Sequence, residues 1–530
     1  MALLSRNRFP NKDNSGTWQV WHTTLGLMAT LAMPLGLTLP LAAQESPSLS
    51  SSAPAPNPAS PTPATTEAMP QRHKLGPLDI SVNWRVRVEG WNWFQANSGE
   101  NDYAFTHSLL RIAIGQQTEH LDWRVEVAQD SILALPSTAV VAAPQGQLGL
   151  GGTYFAANGN STSIASGFVK QAYLTFKHAG PVKVQLGRFT FLDGAELIPK
   201  DKFLATVAQT RVSQRLIGDF GWSAVGRSLD GGRATIDWGG NDFTFIAARP
   251  TRGVYQVDGM GELNVNLFYG AYSHVLTAKR YHARMRAFGI GYLDDRDAVL
   301  KTDNRPTAVR AADHHNIQIG TYGGELLQTF AVSQNNHVDV ILWGVLQNGS
   351  WGTQTQSAST FITEAGWQAD SLLLNPWFSA GVSRGSGDKN PNDSTHGTFF
   401  QILPTPRPYA RFPFFDMENN EDFYGDVVLK PARKLSLRSE VHALRLANAA
   451  DLWYLGGGAF QPRTFGYTGR PSGGSRSLAN MWDVSADYQI MRPLGITVYY
   501  GHAWGKSVIE NLYPKNPNGQ FAYLETNLRF

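Results

Sequence analysis

From Ile80 to Glu89 the chain alternates apolar and polar residues without a break. Successive side chains of a strand point to opposite faces, so this run predicts a strand between two different environments. One face carries Ile80, Val82, Trp84, Val86 and Val88; the other carries Ser81, Asn83, Arg85, Arg87 and Glu89. A surface strand of a soluble sheet has the same period. An aliphatic and aromatic face opposite two arginines and a glutamate also fits a wall between lipid and a wet lumen.

The rest of the chain bears on that choice. Alternating segments recur to the end, and strands are expected at 78–94, 103–118, 121–132, 167–177, 182–191, 226–238, 241–250, 262–276, 281–296, 313–330, 337–349, 357–369, 372–385, 421–430, 434–447, 478–490, 494–506 and 520–530. That makes about 18 strands, an even number. After every second strand the link is tight, as at Glu119-His120, Gly239-Gly240, Asn335-Asn336 and Arg492-Pro493. The intervening links are long, except Ser350–Gln356. Short turns at one end and long loops at the other are the rhythm of an all-β, transmembrane antiparallel β-barrel of the outer membrane. The last segment ends on Phe530, with Leu528 and Leu524 at even spacing, and resembles the C-terminal strand of such barrels. It is expected to pair with the first strand and to be read by the barrel-assembly machinery. Trp123, Trp238, Trp367, Trp482, Tyr499, Tyr500 and Trp504 are expected in interfacial girdles.

Composition narrows the classes. Of 530 residues only 16% are charged, the formal net charge is +3, and there is no cysteine. Nucleic-acid binding, disulfides and thiolate metal sites are set aside. A mean hydropathy of −0.25 is too polar for a helical membrane protein and suits a barrel, where every second residue meets lipid. Residues 1–43 read as a signal peptide: Arg6, Arg8 and Lys12 precede an apolar stretch that ends at Ala42-Ala43. Residues 44–77, rich in Pro, Ser and Ala, read as a disordered linker, and 78–530 as the barrel.

If the apolar face meets lipid, the opposite face lines the lumen, because an arginine facing lipid at the midplane costs about 2–4 kcal/mol. Parity then places Arg85, Arg87, Glu89, Arg111, Arg124, Glu126 and Asp130 inside. Later strands add Lys183, Arg233, Asp237, His282, Arg284, Arg286, Glu364, Asp422, Asp426, Arg438, Glu440, His442, Asp483, Asp487, Glu525 and Arg529. Such an interior implies a water-filled lumen. Two readings of its charges stand: ladders that brace the wall, or an electropositive track that selects anions.

Several segments resemble the alginate export porin family. They are Gln185–Gly194, Arg215–Trp222 with Gly226–Gly231, Gly385–Asp388 with Phe399–Pro404, Asn420 and Leu429-Lys430-Pro431, and Trp482-Asp483 with Tyr499–Gly505. The resemblance runs over most of Leu78–Phe530 and implies an 18-stranded barrel that passes an acidic polysaccharide through an arginine-lined constriction. On that basis Arg85, Arg87, Arg111, Arg124, Arg188, Arg227 and Arg233 are candidates for the track. Strict parity puts Arg188 outside; a bulge at Gly187 is expected to turn it inward. At least one of the loops 133–166 and 192–225 is expected to enter the pore.

No catalytic motif stands in a fitting context, and no catalytic residue, metal or cofactor is expected. His282 and His442 are read as lumen residues rather than as groups of a membrane hydrolase, and Asp388–Asp393 as a polar turn rather than a calcium loop. The expectation is a passive channel, in the outer membrane of a Gram-negative-type bacterium, for anionic saccharides or other carboxylates. The alternatives are a porin for small nutrients without that specificity, and an outer-membrane enzyme or adhesin.

Overall fold

Between Gln354 and Gln368 side chains are alternately buried and exposed without interruption. The buried set includes Gln354, Gln356, Thr360, Glu364 and Gln368, and the exposed set includes Phe361 and Trp367. Polar inside and apolar outside reverses the pattern of a soluble sheet and matches a barrel in lipid.

The computed structural model describes residues 73–177, 180–296, 300–333, 335–404, 411–456 and 468–530. Its main sheet has 20 strands, of which the short His73–Leu75 and Thr395–His396 are additions to 18 staves. The staves are β1 (Leu78–Asn92), β2 (Asp102–Gln117), β3 (Leu121–Leu133), β4 (Ile164–Lys177), β5 (Val182–Phe189), β6 (Leu229–Trp238), β7 (Asn241–Pro250), β8 (Val265–Thr277), β9 (Tyr281–Asp294), β10 (Ile317–Ser333), β11 (Asn336–Trp351), β12 (Gln354–Ala369), β13 (Trp377–Gly385), β14 (Asn420–Ala432), β15 (Leu435–Leu446), β16 (Ser477–Met491), β17 (Leu494–Gly505) and β18 (Asn518–Arg529). Each pairs antiparallel with its neighbours in sequence. β1 also pairs with β18, from Asn83↔Arg529 to Asn92↔Gln520, so the 18 staves close into a ring.

The expected signal peptide and most of the expected linker lie outside the described residues. The linker's last residues differ from expectation: His73–Leu75 folds back on Leu78–Ile80 as a short hairpin, since the edge of the β1 end offers it ladder partners. Trp238, Trp367 and Trp504 are exposed on the outer wall, as girdle residues are. Tyr499 is not: it is buried on the lumen side, where its hydroxyl donates to Asp483 at 2.9 Å.

The bulge expected at Gly187 is absent. Pairing of β5 with β4 and β6 runs through Gly187 without a shift, so Arg188 stays on the outward face with Leu186. There Asp230, directly across on β6, takes both ends of its guanidinium at 2.7 Å, which satisfies the charge where it stands. The irregularity lies one strand earlier. Glu126 pairs with Gln171 and Val127 with Val169, leaving Lys170 as the extra residue. A bulge re-aims a side chain, and here it turns Lys170, which strict alternation from Leu174 places in lipid, into the interior.

Two long loops enter the barrel. The 190–228 loop contains α2 (Lys202–Val207), capped by Asp201, whose carboxylate accepts the Leu204 N–H at 2.8 Å. A π-helical turn, Ala208–Val212, follows directly. The 386–419 loop brings Phe399, Phe400, Ile402, Leu403, Phe412 and Phe414 against Leu204, Val207, Val212, Leu216 and Ile217 of the first, all buried. The loops are joined by a parallel bridge between Ile217 and Leu403. The 134–163 loop carries α1 (Leu150–Ala157), whose Tyr154 hydroxyl accepts the Ala224 N–H at 2.9 Å and so packs onto the 190–228 loop. The interior is therefore fuller than the charged wall implied, because the loops supply their own apolar core.

Candidate transport lumen

The lumen wall and the inward loops meet through charges. On β1, Arg87 Nε donates to Glu525 Oε2 of β18 at 2.7 Å, and Nη1 donates to the Trp222 carbonyl of the 190–228 loop at 2.9 Å. The guanidinium stacks over the Trp222 ring at 4.2 Å and faces Tyr523 at 5.0 Å. Glu89 lies 3.4 Å from Arg87 and 3.3 Å from His107. Arg85 donates to the carbonyls of Gly221 and Ser223, both at 2.5 Å. These two arginines therefore hold down one segment of loop.

On the wall from β12 to β15 the roles reverse, and the loop supplies the cation. The π-turn presents Arg211 to Glu364 on β12, with Nε–Oε1 at 2.9 Å and Nη2–Oε2 at 2.8 Å. The same guanidinium lies 3.3 Å from Glu440 and 3.9 Å from Asp426. Tyr424 donates its hydroxyl to Glu364 at 2.7 Å. Arg438 pairs with Asp426 at 3.1 Å and with Glu440. His442 contacts Asp422 at 2.8 Å, and the Thr497 hydroxyl donates to Asp487 at 2.6 Å.

The β9 wall is tied in the same way. Arg284 donates to Glu325 at 3.0 Å and to the Gly194 carbonyl at 2.8 Å. Arg286 meets Asp193 at 3.5 Å, Glu196 at 3.3 Å and Glu325 at 3.5 Å. Close pairing of this kind is what makes buried charge tolerable.

The structure places the expected residues as follows. Arg85, Arg87, Arg111, Arg124, Glu126, Asp130, Arg233, Arg284, Arg286, Arg438, Asp483 and Asp487 are on the inward row. Arg188 is outside. Arg227 is not on the wall: it lies in the loop before β6, buried, and donates to the Leu403 carbonyl at 2.8 Å, which locks the two inward loops together. Arg111 and Arg124 share Glu126 at 3.6 and 2.7 Å. Arg233 is only partly buried and sits 5.4 Å from the Phe191 ring. Water therefore reaches Arg124 and Arg233 in the β3–β6 sector, beside the partly exposed Gln171, Tyr173, Thr175 and Gln185.

Sequence reading missed Lys170, whose ammonium donates to the carbonyls of Val225 and Arg227 at 3.1 Å each, and the loop acids Asp193 and Glu196. A positively charged residue at a lipid-facing parity was the one available signal for Lys170. Asp388–Asp393 forms nested turns, with the Asp388 carboxylate accepting the Asn390 N–H at 3.0 Å and the Asn390 side chain accepting the Asn392 N–H at 3.2 Å.

The alginate export family profile matches residues 77–511. The chain belongs to that family. No curated protein matches this alginate export barrel. Among solved structures it is similar to OccK9 (OpdG) of Pseudomonas aeruginosa, with TM-score 0.53, 10% identity, and 86% of this chain and 98% of that one covered. OccAB3 of Acinetobacter baumannii gives TM-score 0.52, 9% identity, and 86% and 99% coverage. OpdK of Pseudomonas aeruginosa with vanillate gives TM-score 0.50, 8% identity, and 85% and 98% coverage. At these identities the likeness is one of fold. The alginate export barrel is an outer-membrane transport channel of the Gram-negative envelope and not an enzyme.

Proposed function

We propose that this barrel is a size-limited channel for small polar solutes, carboxylates among them, rather than a conduit for an anionic polymer. The observation that carries the reading is the crossing of the lumen by the 190–228 and 386–419 loops, locked to each other and to the wall. A polymer chain needs a continuous wide track. Most of the arginines suited to line one are spent here on carboxylates and loop carbonyls. Arg124 and Arg233 keep access to water, so anion preference is expected to be modest and to depend on that sector. The fold relative crystallised with vanillate, a small carboxylate, lends support. Residues 1–43 serve as the export signal, and the strand ending at Phe530 as the assembly signal.

The test is permeation through the purified protein in planar bilayers and swelling liposomes. Monosaccharides and small carboxylates should pass, oligouronates should be retarded steeply with length, and Arg124→Glu with Arg233→Glu should shift the reversal potential toward cations. Passage of long polyuronate at rates near those of its monomer would overturn the reading.

A further inference from the structure

The outer wall carries one concentrated charge of a kind the lumen does not explain. At the ends of the staves next to the long loops, Arg384 on β13, Glu421 on β14 and Arg445 on β15 occupy directly opposed positions of one outward-facing row. Arg476, just before β16, joins them. All three arginines converge on the one carboxylate: Arg384 Nε at 2.7 Å from Oε1, Arg476 Nη2 at 2.9 Å from Oε2, and Arg445 Nε also on Oε2. Guanidinium does not lose its proton, so the cluster carries two uncompensated positive charges.

The arginine side chains are 47, 50 and 45% exposed, whereas Glu421 is 8% exposed. The carboxylate is the buried anchor and the guanidiniums face outward. Arg384 and Arg445 spend Nε on it, and among the described residues their Nη groups donate to no protein acceptor. These are planar forks of the kind that take phosphate in a bidentate grip. Toward the membrane from this row, the same face presents Phe423, Val441 and Phe378, about half exposed, and Arg445 rests 5.2 Å from the Phe423 ring. A wall brace needs one arginine for one carboxylate. Three over an apolar surface at the level of the headgroups match an anionic amphiphile, with phosphate above and acyl chains below.

We propose that this face binds the phosphorylated headgroup of the outer-leaflet glycolipid, with Arg384, Arg445 and Arg476 as the phosphate ligands and Phe423 and Val441 under the acyl chains. The long-loop end of a barrel faces outward from the cell, which sets these arginines at the outer leaflet. Glu421 holds the guanidiniums in place and weakens their hold on an anion.

The experiment is native mass spectrometry of the full chain in detergent micelles titrated with bisphosphorylated lipid A, with its dephosphorylated form, and with inorganic phosphate. The wild type should retain the bisphosphorylated lipid in preference to the other two. R384Q/R445Q/R476Q should weaken that binding about tenfold or more, since loss of even one charge-assisted hydrogen bond is worth that much. E421Q keeps all three arginines and removes the competing charge, so it should tighten binding; if the cluster only braces the wall, E421Q leaves lipid binding unchanged or lowers it. The proposal is overturned by equal retention of the two lipids, by full competition from inorganic phosphate alone, or by wild-type binding in the triple variant. Should the triple variant fail to assemble, the direction of the E421Q effect still decides.

Discussion

Replacing Arg211 by alanine tests how the inward loop is held. Arg211 is buried and is the cation that the π-turn delivers to Glu364, Glu440 and Asp426. Among the described residues its removal leaves Glu364 with the Tyr424 hydroxyl as its one hydrogen-bond donor and leaves Arg438 as the one ion-pair partner within 4 Å of Asp426 and Glu440. Breaking one partner out of a buried pair costs about 3–5 kcal/mol, or two to four powers of ten in the equilibrium between docked and undocked loop. The apolar side chains of Leu204 and Val207 stay docked by their own burial, so opening should be confined to the segment near the π-turn. Hydrogen exchange at 208–215 should rise by orders of magnitude while α2 and β12 stay protected, and single-channel current should become noisier with a higher mean. Adding Glu364→Gln removes the stranded charge and should recover part of the loss, so the two changes should be less than additive. Unchanged exchange and conductance in Arg211→Ala would show that the ion pairs do not hold the loop.

Other outcomes follow from single features. Lys170→Met strips two buried loop carbonyls of their donor and should cost about 1–3 kcal/mol, read as earlier heat-induced unfolding of the barrel on gels; an unshifted transition would mean the bulge is passive. Gly187 has φ +122°, and a Cβ there would sit 2.3 Å from the Ala172 carbonyl oxygen, so Gly187→Ala should lower the yield of assembled barrel. In the loop between β9 and β10, burial pushes the Asp313 carboxyl up. Hydrogen bonds from the Thr353 N–H, Arg305 and the His315 N–H outweigh that and bring it to about 2, against 3.8. A carboxyl lowered on folding stabilises above its unfolded value and loses that contribution as pH falls through its folded value. Pepsin should therefore spare this loop at pH 4 and cut it near pH 2, and equal cutting at both would refute the pairing.

The wall was legible because two solvents write period two into every stave, and a turn rhythm repeats around it. The Arg87 row and the β1–β18 closure followed from parity and length alone. Lys170 was not legible, because a bulge breaks the very alternation used to read it. Gly187 looked like a bulge site, but its backbone conformation serves a close approach to β4 without shifting register. Barrel width pointed to an inward loop among 133–166 and 192–225, but which one enters and where it docks could not be read. The partners of the 190–228 loop, Glu364, Glu440, Arg284 and Leu403, are scattered over distant staves and a second loop, and no local spacing announces them.

Arg87 and Glu525 are separated by 438 positions along the chain, yet they form one ion pair across the seam. The seam is also where the two last unpaired strand edges meet. Closing the seam therefore satisfies both strand edges and brings Glu525 to Arg87 in the same event. That pairing is highly non-local, and by the dependence of folding rate on sequence separation it should be slow. A chain cut short before Glu525 is left with both faults at once, an open edge and a lumen cation that keeps Glu89 but loses Glu525.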